Sequence, residues 1–71
     1  MTKKQLLAKA PENNEEWAAQ QIARDFGSKQ LTDLARSFSL LKQTLYKNWA
    51  LDMTFGQLLE AMDIIESLYD E

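Results

Sequence analysis

The chain of 71 residues contains no cysteine and no histidine. The first absence removes disulfides and a thiol nucleophile, and it fits an intracellular protein. The second removes the commonest general base and the commonest metal ligand. Ser28, Ser37, Ser39 and Ser67 therefore have no imidazole to activate them. Gly27 and Gly56 stand alone, so no glycine-rich loop can cradle a phosphate. No run approaches the roughly 20 apolar residues of a membrane span. Leu6-Leu7-Ala8 is cut at once by Lys9, unlike the apolar stretch of a signal peptide. The expectation is a soluble, cytoplasmic protein that is not an enzyme. It has no catalytic residue, no metal, no cofactor and no evident small-molecule substrate.

A single domain of this size buries a limited core. With disulfides and the best metal ligands excluded, association with itself or with a protein partner is the remaining route to extra stability. The formal net charge is -3, unevenly spread. Lys29, Arg36, Lys42 and Lys47 make residues 28–51 basic against Asp33 alone. Residues 52–71 carry Asp52, Glu60, Asp63, Glu66, Asp70 and Glu71 and no base. Glu60, Asp63, Glu66 and Asp70 share one helix side that could hold a hard cation, but no turned loop completes a cage, so they read as a solvated face.

The pattern is all-α. Residues 1–12 form an N-terminal segment in which Thr2 and Gln5 have capping-box spacing, giving a short helix at 3–9 or a frayed terminus. Pro11 ends it. Residues 13–71 read as one helical domain with three main helices, at 14–26, 29–51 and 55–69. Asn13 caps the first, with Glu15 and Glu16 in its first turn. Gly27 is placed to stop it. Its core face is Ala18, Ala19, Ile22, Ala23 and Phe26, small enough for a neighbouring helix to approach closely. Trp17 points away, either covering Leu6 or Leu7 or standing out as an aromatic anchor.

The stretch from Ser28 to Leu51 is the longest without Gly or Pro, and the rest is expected to arrange itself on it. At the α-helical spacing Leu31, Leu34, Ala35, Phe38, Leu41, Leu45, Tyr46 and Trp49 fall within about 140°. Leu40 and Leu51 lie on the opposite, polar side. In the last helix, Thr54 and Gln57 have capping-box spacing, and Met53 and Leu58 are placed for a hydrophobic staple. Phe55, Leu58, Leu59, Met62, Ile65 and Tyr69 form its core stripe. Ile64 and Leu68 widen that stripe to about 220°, more than a surface helix needs. They pack on the N-terminal segment or serve a second interface. The expected core is Ile22, Phe26, Leu31, Leu34, Phe38, Leu41, Leu45, Trp49, Phe55, Leu58, Met62 and Ile65.

The segment Leu34-Ala35-Arg36-Ser37-Phe38-Ser39-Leu40, followed by Gln43-Thr44-Leu45-Tyr46-Lys47-Asn48-Trp49, resembles the helix-turn-helix of TetR-type DNA-binding regulators. Ala35, Phe38, Leu40, Leu45, Tyr46 and Trp49 match that motif in kind. Ser39 stands where the family's turn has Gly, and Leu41 where a polar cap is expected. The resemblance implies a break at 39–41, whereas periodicity alone keeps 28–51 whole.

Two functions follow. The first is a non-enzymatic protein-binding module: a subunit, adaptor, inhibitor or phage- or plasmid-type accessory factor. Its interface candidates are Trp17, Leu40, Leu51, Ile64 and Leu68, and a homodimer is one form it could take. The second, implied by the resemblance, is a DNA-binding transcriptional regulator in which Lys42, Gln43, Thr44 and Lys47 face the nucleic acid.

Overall fold

A computed structural model describes residues 1–49 and 52–68. Five helices and no strand occur among them: α1 (Lys3–Ala8), α2 (Asn14–Asp25), α3 (Ser28–Arg36), α4 (Phe38–Trp49) and α5 (Phe55–Glu66). The expected ends at residues 51 and 69 lie outside the described residues.

Local chemistry accounts for most helix starts. The Thr2 hydroxyl accepts from the Gln5 N–H at 3.1 Å, and the Thr2 N–H donates to the Gln5 side chain at 2.9 Å. The Thr54–Gln57 box repeats this arrangement at α5, at 3.2 and 2.9 Å. Asn13 accepts from the Glu16 N–H at 2.9 Å. Glu16 in turn takes a 3.1 Å hydrogen bond from Lys9, which holds its carboxyl below the ordinary value.

Two sequence expectations are corrected here. Gly27 does not end α2 in a left-handed conformation: its φ is -80°, and Phe26 is the C-cap. The Gly27 N–H is taken by the Gln30 side chain at 3.1 Å, so this glycine opens α3 instead of closing α2. The 29–51 helix is also not continuous, so the main helices number four rather than three. Ser37 is extended, with φ -126° and ψ 106°. Its N–H still donates to Asp33 O at 3.2 Å, ending α3. Its hydroxyl accepts from the Leu40 N–H at 3.2 Å, starting α4. One serine thus caps both helices, and residues 39–41 are helical.

The shared element is α5, which packs against α2, α3 and α4, while α1 lies on α2 and α3 contacts α4. Leu6, Ala18, Ala19, Ile22, Ala23, Leu31, Leu34, Leu41, Leu45, Leu58 and Ile65 form the core cluster. Leu6 of the short α1 is completely buried in it. Gln20, also buried, donates to the carbonyls of Leu6 at 3.0 Å and Lys9 at 2.7 Å. The Leu6 carbonyl also takes the Lys9 N–H at 3.4 Å, so the Gln20 amide adds a second donor there and supplies one to Lys9 O at the end of α1. Phe26, Phe38, Trp49 and Met62, expected inside, are only half-buried, and Phe55 is exposed. Among the described residues no helix is long and apolar enough to cross a membrane.

Candidate functional site

The rotation of α5 about its own axis decides which apolar side chains the molecule leaves outside. Ala61, which the expected stripe omitted, is fully buried with Leu58 and Ile65. Its methyl group and the buried alanines of α2 allow close helix contact, and α2–α5 is among the most extensive helix pairs. Turning Ala61 inward brings Ile64 and Leu68 against the core cluster, where both are half-buried. It turns the other edge of the stripe outward. Phe55 is 66% exposed and Leu59 43% exposed, contrary to their expected place in the core stripe.

Phe55 does not stand alone. Its ring lies 4.9 Å, centroid to centroid, from that of Phe38, tilted by 46°, within the range of a favourable aromatic pair. On α4, Phe38 begins a row at four-residue spacing that continues through Lys42 to Tyr46. Tyr46 was placed in the apolar arc of the sequence pattern, yet it is 67% exposed. Beside this row runs an open groove of about 630 Å³. Lys42, Gln43, Tyr46 and Lys47 line it from α4; Asp52, Met53 and Leu58 line the other side. Met53 also packs against the core, which carries the 52–54 segment along the helix. Phe55–Leu59 and Phe38–Lys42–Tyr46 are thus two side-chain rows that meet at the aromatic pair.

The charges of the two rows differ. The outer surface of α4 carries Lys42 and Lys47, and the helix contains no acid. The exposed surface of α5 carries Glu60, Asp63 and Glu66, and that helix contains no base. The Glu60 carboxyl is raised above its ordinary value, first by hydrogen bonding with the Glu15 carboxyl and then by Glu15's charge. Glu15 is itself buried on α2. Among the described residues no three acidic side chains come together as metal ligands; Asp70 lies outside those residues.

The sequence-based candidates are dispersed. Trp17 is half-buried on α2. Leu40 is 41% exposed, and its helical phase sets it about 160° from Lys42. Ile64 and Leu68 face the chain's own core, and Leu51 lies outside the described residues. Of the four DNA-contact candidates, Lys42, Gln43 and Lys47 share the groove. Thr44 does not line it, and its hydroxyl donates to Leu40 O at 2.7 Å within α4. The residues that sequence reasoning missed are Phe55, Leu59 and Tyr46. The available signal was Ala61, a small residue three positions from Leu58, matching the alanine face of α2.

No family model, no curated protein and no solved structure matches the chain.

Proposed function

We propose that the protein is a small non-enzymatic helical binding module. It docks a protein partner on the face formed by the Phe55–Leu59 ridge and the α4 groove. A role as subunit, adaptor, inhibitor or phage- or plasmid-type accessory factor is consistent with this, and the absence of cysteine supports a cytoplasmic setting. The observation that carries the reading is Phe55: a large apolar side chain left 66% exposed, one turn from exposed Leu59 and in contact with Phe38, which begins the row that ends at exposed Tyr46. Contiguous apolar surface rimmed by charge is characteristic of interaction sites, and aromatic residues dominate their energetics. Selection of binders from a peptide library, followed by NMR shift mapping, tests it. Perturbations should centre on Phe38, Tyr46, Phe55 and Leu59, and Phe55→Ala should weaken binding at least about tenfold without altering the fold. Binding confined to another face would overturn the reading.

A helix-turn-helix DNA-binding regulator is the second reading. It is favoured by the gathering of Lys42, Gln43 and Lys47 in one groove. The acidic net charge works against it, because phosphate neutralisation supplies most non-specific affinity. Anisotropy of labelled duplex DNA decides the matter. On this reading, Lys42→Ala and Lys47→Ala should each lower the salt slope by about one, and no binding at low salt removes it.

A further inference from the structure

The two rows have properties that single out an occupant. They are adjacent, joined through Phe38 and Phe55. They are opposite in charge, α4 presenting lysines only and α5 carboxylates only. They also differ in form: α5 offers projecting side chains, Phe55 and Leu59, whereas α4 borders a groove about 630 Å³ in volume. A two-fold axis between neighbouring complementary strips exchanges them. The ridge of each copy then lies on the groove of the other, and both strips are used in one closed contact. A foreign helix would satisfy one strip and leave the other exposed. The chain's small size and its lack of cysteine and histidine give the same occupant a thermodynamic reason, since association supplies apolar burial that one copy cannot.

We propose that a second copy of the chain occupies this face, in a two-fold dimer that sets the acidic ridge of α5 along the lysine-bearing α4 wall of the groove. The proposal rests on the docking reading and names its partner. Lys42 stands between Phe38 and Tyr46 in the α4 row, and Asp63 lies one turn beyond Leu59 on α5. They provide the like-for-opposite contacts that fix the pairing. Apolar burial provides the attraction, and the charges give orientation and salt sensitivity.

Sedimentation velocity of the full chain, from low to high micromolar concentration and at low and high salt, tests this directly. Doubling of the mass with concentration is expected, with weaker association at high salt. Lys42→Glu alone and Asp63→Lys alone should each weaken self-association at least about tenfold, because each sets like charges together twice. An equimolar mixture of the two should recover the dimer, since every crossed contact again joins opposite charges. Circular dichroism of each variant separates loss of the dimer from loss of the fold. If a variant does not fold, wild-type mass and its salt dependence decide alone. A wild-type monomer at every concentration overturns the proposal, as does a dimer indifferent to salt and to both reversals. In the monomeric case Leu59→Asp distinguishes the remaining outcomes. An unchanged melting temperature leaves the face to a foreign partner. A fall of several degrees makes it part of the chain's own packing, and the docking reading fails as well.

Discussion

The two sides of α5 are equally apolar in sequence and opposite in fate. On the inward side α5 turns Ala61 to the interior and α2, packed on it, turns Ala18, Ala19 and Ala23; all four are completely buried. Toward α4, Phe55 meets Phe38, and the larger side chains end in an exposed ridge beside an open groove. Small residues let helix axes approach until little space remains, and close packing there sets the direction of the whole helix. Bulky rings need more room, and Phe38 and Phe55 meet with their centroids 4.9 Å apart. Burial in this molecule therefore follows size as well as hydrophobicity. The bulkier apolar side chains of α5, Phe55 and Leu59, are the ones that stay exposed.

The sharpest test of this contrast is one substitution on each side, in solution dilute enough to exclude association. Ala61→Leu adds bulk to a filled seam and should destabilise by about 1–3 kcal/mol. Phe55→Ala removes a ring with most of its surface in water, and its effect, chiefly the lost contact with Phe38, should stay below about 1 kcal/mol. Chemical denaturation measures both; equal losses would erase the difference between the seams.

The next effect lies at the start of α5, which orients both sides. Thr54→Ala leaves the Gln57 N–H without its 3.2 Å acceptor and should cost about 1 kcal/mol. Thr54→Ser keeps the hydroxyl and should be close to neutral. If the two changes behave alike in thermal denaturation, the helix start is held by its neighbours and not by the cap.

The smallest effect concerns Glu60, on the exposed edge of the α2 side. Glu15 raises its carboxyl above the ordinary value of 4.5, so the folded chain holds that proton more tightly than the unfolded chain does. The contribution is fully present below about 4.5 and is lost as pH rises through the raised folded value. Glu60→Gln should remove this decline, leaving the variant more stable than wild type relative to its own acid-side value. Parallel stability–pH curves for the two proteins would exclude the Glu15–Glu60 contact.

Much of the fold is readable locally because capping is local. Thr2 with Gln5, Asn13 with Glu16, and Thr54 with Gln57 each act over three residues, so their spacing predicts the contact that forms. Ser37 is harder to read. Its neighbours keep a continuous helical period, and nothing in that period shows that one hydroxyl, by accepting from the Leu40 N–H, will cap a new helix that begins at Phe38. Gln20 was illegible for a different reason: its amide bonds carbonyls 14 and 11 residues away, a partner choice that exists only once α1 lies on α2. The candidate face was partly visible. The excess apolar arc on α5 signals surplus surface and its spacing points to Ile64 and Leu68 as the surplus edge, whereas the structure leaves out Phe55 and Leu59.

The sequence by itself determined an all-helical pattern, the starts of α2 and α5, and the angles between side chains along each helix, because hydrogen bonding within a turn and 3.6-residue geometry need no distant partner. Those angles are relative. They state that Phe55 and Ile64 lie on opposite edges of one stripe, and they leave open which edge turns inward. Tertiary structure decided that: α5, packed on α2, α3 and α4, turns Leu58, Ala61 and Ile65 inward, which sets one edge against the core and presents the other to solvent.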